Sequence, residues 1–166
     1  MAEAATASRP SAPELVALAG FIGVCLIAAA LGAMATTPEV AGWYRHLNKP
    51  SWTPPDAAFG VVWTILYVVM GVAAWIVWRR CAHTHARSGL LWFGVQLALN
   101  VGWSWLFFAS HQVAWAFGEL LLLWLAIAIT ARLFHLVSPA AGWLMAPYLA
   151  WTTFAAMLNG AILFMN

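Results

Sequence analysis

Long apolar runs alternate with short polar breaks along the chain, and the runs set the architecture. The first extends from about Glu14 to Ala35, and the second from about Pro55 to Trp78, where Arg79-Arg80 stops it. The third covers about Gly89 to Ala109, the fourth about Val113 to Phe134, and the fifth about Pro139 to Phe164. Each is close to the ~20 residues a helix needs to cross a bilayer, and none has the period-two alternation of a barrel strand. The pattern predicts an all-α integral membrane protein, a five-transmembrane-helix bundle with helices at about 14–35, 55–78, 89–109, 113–134 and 139–164. Residues 1–13 are mostly Ala, Ser, Thr and Pro, with little to bury, and are expected to form a mobile tail. A secretory signal is the other reading of the first run, because Arg9 precedes it and Ala33-Met34-Ala35 has the form of a cleavage site. The run is too long for that: a signal core covers about 7–15 residues.

The polar stretch from Thr37 to Asp56 is the exception among the breaks. Connections in compact proteins are usually about 4–6 residues, so a gap of this length marks a lid or a binding loop. Its centre reads Trp43-Tyr44-Arg45-His46-Leu47-Asn48-Lys49-Pro50-Ser51-Trp52-Thr53-Pro54-Pro55. The prolines hold their own φ and push each preceding residue towards extended geometry, so the aromatic side chains sit on a stiff arm. Thr53 is placed to cap the second helix, with Asp56 completing a variant capping box. Anchoring of Trp43 and Trp52 at the headgroup level is the simpler alternative to a lid over residues 37–56.

Helical periodicity sorts the interior from the exterior. Gln96, Asn100, Trp103 and Phe107 fall on one stripe of the third span, and Gly94, Ala98 and Gly102 on the nearly opposite one. Small residues spaced in this way let another helix approach closely, either within the bundle or across a homodimer. An amide among large aromatics suits a cavity, although a lone membrane Asn also serves as an interhelical hydrogen bond. The second span repeats the aromatic stripe with Trp63, Tyr67, Met70 and Ala74, and the fifth with Trp151, Ala155, Leu158 and Asn159. Pro147 interrupts the fifth span and is expected to bend it.

Composition agrees with the runs: 64% of residues are hydrophobic and only 7% charged, against roughly 25% charged in a soluble domain. The formal charge of +2 is too small and too dispersed for a nucleic-acid partner. Its distribution is informative, because Arg9, Arg79, Arg80, Arg87 and Arg132 fall on one side of a five-span topology and only Arg45 and Lys49 on the other. The positive-inside rule then puts the N-terminus in the cytoplasm, and the C-terminus and the long loop outside. Cys25 and Cys81 lie at different depths, so neither a disulfide nor a metal site is expected from them. His83 and His85 read as a solvated basic loop, and His46 and His111 fall on the outer side. Glu119, about two turns into the fourth run, is the acid inside a predicted span, where ionisable groups are rare and often functional; a plain interhelical hydrogen bond is the alternative.

The chain resembles the tryptophan-rich sensory protein and translocator protein (TspO/MBR, peripheral-type benzodiazepine receptor) family. The resemblance rests on the loop block above, on Gly60-Val61-Val62-Trp63-Thr64-Ile65-Leu66-Tyr67, and on Ala98-Leu99-Asn100 with Trp103-Ser104 and Phe107-Phe108. Pro147-Tyr148-Leu149-Ala150-Trp151, with Phe154-Ala155 and Leu158-Asn159, completes it. Four blocks in order, one of them in a polar loop, are specific. The resemblance implies a homodimeric bundle with a cavity by the first loop that binds porphyrins and haem-like tetrapyrroles. Family pocket positions correspond to Tyr44, Trp52, Trp63, Asn100, Trp151 and Ala155, and the stripes add Trp103 and Phe107. The cholesterol element of eukaryotic members needs a Tyr and a basic residue after the fifth span, and the tail Leu158–Asn166 lacks both, so sterol binding is not expected. Three functions follow as expectations. The first is a porphyrin receptor, sensor or carrier that needs no cofactor of its own. The second is light- and oxygen-dependent porphyrin breakdown assisted by Trp63 and Trp151 as catalytic indoles. The third is a small transporter or proton-path subunit centred on Glu119 and Asn100. A bacterial cell membrane fits the charge bias, and the family also includes outer-membrane members.

Overall fold

A computed structural model describes residues 11–166, so Arg9 and most of the expected mobile tail lie outside the described residues. Among the described residues the chain is helical without strands. The elements are α1 (Ala12–Ala41), α2 (Trp43–His46), α3 (Asp56–Trp78), α4 (Ala86–Ser104), a π-helical turn (Trp105–Ala109), α5 (Val113–Val137), α6 (Pro139–Leu144) and α7 (Ala146–Met165). Five helical stretches are long and apolar enough to cross a membrane, with α4 plus the π turn forming the third and α6 plus α7 the fifth.

α1 begins at Ser11, whose backbone N–H donates to Glu14 Oε2 at 2.7 Å, with Pro13 in the first turn where no N–H partner is needed. The same Glu14 ties the helix to the end of α3. Arg79 Nε donates to its Oε1 at 2.7 Å, and Trp75 Nε1 donates to its backbone carbonyl at 2.8 Å. Further along, Gly71 lets the two helices touch backbone to backbone: a Cβ there would sit 2.9 Å from Ile22 Cα.

The helices close into a ring. α4 packs most extensively on α5, α5 on α6 and α7, α1 on α3 and α4, and α3 on α6. Cys25, Met70, Leu120, Ile127, Phe134 and Tyr148 are buried in the main core, and a smaller cluster of Tyr44, Phe107, Phe108, Leu158 and Ile162 lies towards the loop end. Large side chains left outside, such as Trp115 at 74% exposure and Phe164 at 89%, face the space that lipid occupies.

Three expectations are corrected. The first helix does not stop near Ala35 but runs to Ala41 with Pro38 inside it, so the lid expected over 37–56 is largely helical and only 47–55 is irregular. Thr36 Oγ1 donates to the Gly32 carbonyl at 2.9 Å, which holds the helix through a Thr-Thr-Pro sequence that reads as a stop. Thr53 does not cap α3. Its N–H and Oγ1 both bond the Pro50 carbonyl, at 3.0 and 2.7 Å, closing a turn, while extended Pro55 precedes the first helical residue Asp56. Finally, the fifth span breaks rather than bends: α6 ends at Leu144, Met145 joins it to α7, and Pro147 sits in the first turn of α7.

Candidate functional site

At the loop end the helices spread around a cavity of about 490 Å³. α1 contributes a wall of small residues, among them Ala29, Gly32, Ala33 and Thr36, which leave room that larger side chains would fill. α3 supplies Phe59, Trp63 and Tyr67, α4 supplies Asn100, Trp103 and Ser104, and α7 supplies Ala155, Leu158 and Asn159. Phe107 and Phe108 both reach it because the π turn inserts an extra residue into the helix, placing two consecutive rings on the inner side. Tyr44 from α2 completes the roof.

The aromatic walls are interlocked. Trp103 stacks on Phe107 with centroids 5.3 Å apart, Tyr44 tilts against Phe108 at 5.6 Å, and Trp63 meets Tyr148 edge-on at 6.0 Å. Such contacts add about 0.5–1.5 kcal/mol each beyond area burial and hold the rings in place before any guest arrives. Polar groups are few and mostly paired. Asn100 Oδ1 accepts from the Tyr67 hydroxyl, and its Nδ2 donates to Tyr148 Oη at 2.7 Å, so this amide joins α3, α4 and α7. Trp103 Nε1 donates to Asn159 Oδ1 at 3.2 Å, and Asn159 Nδ2 to the Val113 carbonyl at 3.1 Å. Asn100 thus has both roles raised from the sequence, interhelical bond and cavity lining.

The roof is pinned at several points. Asn48 N–H donates to Asn166 Oδ1 and Asn166 Nδ2 to the Asn48 carbonyl, both at 3.0 Å, which fastens the loop to the chain end. Lys49 Nζ donates to the Tyr44 carbonyl at 2.7 Å and lies 4.3 Å from that ring's centroid. Burial, with a smaller contribution from Asp56, pushes the Tyr44 phenol up to about 12. Trp43 stacks on His111 at 4.2 Å, and His111 Nε2 pairs with Glu39 Oε2 at 3.1 Å, joining the end of α1 to the α4–α5 turn.

Of the residues singled out in the sequence, Tyr44, Trp63, Asn100, Trp103, Phe107 and Ala155 line this one cavity. Trp52 and Trp151 do not. Trp52 is 48% exposed and packs on Phe154 at 5.6 Å, and Trp151 sits behind the wall, perpendicular to Trp63 at 6.5 Å and edge-on to Phe59 at 5.8 Å. Arg45 and Lys49 also lie off the lining, where Asp56 is the one charged side chain. Gly94 and Ala98 are exposed, Gly102 is half-buried, and none of the three touches the cavity. The α1 wall was missed in the sequence; its signal was the density of Ala, Gly and Thr between Ala28 and Thr37.

Fold and cavity together define a five-helix integral membrane protein with a partly open, aromatic-walled cavity of the size usual for small-molecule sites. A family model described as the TspO/MBR family matches residues 21–165, and the chain belongs to that family. It is 40% identical over 155 residues to the tryptophan-rich protein TspO of Chlorobaculum tepidum, covering 92% of this chain and 98% of that one. It is similarly 40% identical to the translocator protein of Bos taurus over 89% of each chain, and 36% identical to the tryptophan-rich sensory protein of Cereibacter sphaeroides over 84% of each.

Proposed function

We propose that this membrane receptor or sensor binds a porphyrin, protoporphyrin IX or a haem-like tetrapyrrole, in the cavity beneath the first loop. The observation that carries the reading is the joint presence around one cavity of Tyr44, Trp63, Trp103 and Phe107, a set of fixed π faces about a space open enough for a flat apolar macrocycle. Because the lining has no cation and one carboxylate, the acidic edge of such a guest belongs at the mouth, near Lys49 and Arg45, and its apolar edge inside. Titrating protoporphyrin IX into purified protein tests this: saturable quenching of Trp emission that weakens in Trp63→Ala supports it. Quenching of equal affinity in that variant removes the site assignment.

The contact of Trp63 with Trp151 favours a second reading, photo-oxidative porphyrin breakdown. The guest absorbs the light, and two indoles in contact supply oxidisable groups next to it. Illumination at matched occupancy should give slower loss in Trp63→Phe and Trp151→Phe; identical rates and products in all three proteins would leave binding alone. For assembly, exposed Gly94 and Ala98, with half-buried Gly102 on the same stripe, support a homodimer through α4, since a Cβ at Gly94 would meet nothing within 4 Å in the protomer. The orientation proposed is N-terminus cytoplasmic in a bacterial cell membrane, on the charge bias given above.

A further inference from the structure

The cavity is walled by helices on every side, but among the described residues it reaches the outside between only two of them. Its lining residues on α4, the π turn and α7 are buried or half-buried, and Tyr44 in the roof is buried. The exposed ones are Ala30, Ala33 and Thr37 on α1 and Asp56, Gly60 and Thr64 on α3. Each set follows helical spacing and forms one stripe along its own helix. The stripes flank a slot because α1 and α3 cross and then part. At the crossing, a Cβ on Gly71 would lie 2.9 Å from Ile22 Cα. The helices run antiparallel, with Glu14 at the start of α1 bonded to Trp75 and Arg79 at the end of α3. About three turns, or about 16 Å, from the crossing, the positions at matching level are therefore Ala33 and Gly60. There a Cβ on Gly60 would meet nothing within 4 Å, so the two backbones are no longer in contact.

The slot lies at membrane depth. α3 has 23 residues and is about 34 Å long, little more than the ~30 Å hydrocarbon core, so Gly60 and Thr64, about 6 and 12 Å from its start, fall within that layer. The banks suit lipid. Ala30, Ala33 and Gly60 are small and apolar, and Thr64 Oγ1 donates to the Gly60 carbonyl at 2.8 Å, which satisfies its hydroxyl within the helix. Thr37 and Asp56 stand at the loop end of the two stripes. The water side is shut by the reciprocal Asn48–Asn166 bonds and by buried Tyr44. We infer that the cavity takes up and releases its guest sideways, through the slot between α1 and α3, from the loop-side half of the bilayer. The guest is then an apolar molecule that partitions into lipid, and Ala33 and Gly60 set the width of its passage. The route rests on the reading of the cavity as a binding site, but not on the guest being a porphyrin.

The test places a thiol inside the cavity of the full chain in nanodiscs: Ala155→Cys on the α7 wall, with Cys81→Ser to remove the exposed native thiol, while Cys25 is buried. The probe is N-phenylmaleimide dissolved in the lipid. The thiol adds across its C=C bond, sulfur bonding one carbon and the proton ending on the other, and no group leaves. Peptide mass spectrometry follows the adduct on the α7 peptide. Gly60→Leu with Ala33→Leu, which fills the slot from both banks, should slow labelling at least about tenfold, the factor carried by side chains that must be pushed aside in a crowded passage. Gly60→Leu alone should slow it by a smaller factor. Asn166→Ala, which frees the loop from the chain end, should leave the rate unchanged, and a sulfonated maleimide confined to water should not react. Equal rates with the slot filled and unfilled, faster labelling in Asn166→Ala, ready reaction with the sulfonated reagent, or no labelling of the parent protein would each overturn the lateral route. Circular dichroism on each variant keeps loss of fold from imitating a closed slot. Slot-dependent labelling in a protein that gives no saturable quenching with protoporphyrin IX would refute the porphyrin reading and leave the route standing.

Discussion

Replacing Gly71 by Ala adds one methyl group where α1 and α3 meet. The new Cβ would sit 2.9 Å from Ile22 Cα and 3.1 Å from both Ile22 N and Cγ1. Carbon atoms in contact prefer about 3.5–4.0 Å, and two of these three neighbours are backbone, so a rotamer change cannot relieve the clash. The whole of α1 must move by several tenths of an ångström. That helix is also held at its start by Arg79 and Trp75, so the shift strains contacts already made. Overpacking of this kind costs about 1–3 kcal/mol. A helical Gly-to-Ala change also brings about 1 kcal/mol of propensity gain, and Gly20→Ala serves as the control because nothing lies within 4 Å of its Cβ in the same α1. The difference between the two variants is then the packing term alone. Equilibrium unfolding in mixed SDS micelles should show Gly71→Ala less stable than Gly20→Ala by about 1–3 kcal/mol. Equal midpoints would mean that α1 and α3 do not cross at Ile22 and Gly71, and the frame around the cavity would be wrong.

Two further outcomes follow from the same geometry. Ala98→Leu places a large side chain on the exposed α4 face, so if the proposed homodimer forms there, light scattering in detergent should show wild type as a dimer and the variant as a protomer, with porphyrin affinity little changed; a variant that is still a dimer moves the interface elsewhere. The Tyr44 phenol, raised from 10.0 to about 12, is held neutral by its buried place in the roof, so its contribution is complete below pH 10 and is lost as pH climbs through 12. Alkaline titration should show the roof loosening over that window in wild type but not in Tyr44→Phe, and a step common to both would assign it to another group.

The five spans were legible because lipid-facing and core-facing positions are both apolar, which makes long runs in the sequence. What runs do not record is how a helix survives a polar segment. Thr36, Thr37 and Pro38 look like a stop, yet the Gly32 carbonyl takes the Thr36 hydroxyl and α1 continues to Ala41. The π turn was equally hidden, since Phe107 and Phe108 are about 100° apart on a regular helix and only the inserted residue turns both inward. The stripes picked out Trp63, Asn100, Trp103 and Phe107, all of which line the cavity. They cannot separate a wall residue from one packed behind it, and Trp151 belongs to the second kind. The α1 wall of Ala29, Gly32, Ala33 and Thr36 holds no ring or amide to mark it, which is why the α1 side of the cavity was not read.

The proposed porphyrin site requires the empty volume next to Ala155, so filling that volume is the most direct test of the proposal. Ala155→Phe projects a ring into the cavity from α7, where the native side chain is a half-buried methyl. Measured by quenching of Trp emission in nanodiscs, protoporphyrin IX should saturate wild type and bind the variant at least about tenfold more weakly, the equivalent of 1.4 kcal/mol. Saturable binding of unchanged affinity in a folded Ala155→Phe protein would place the porphyrin outside this cavity.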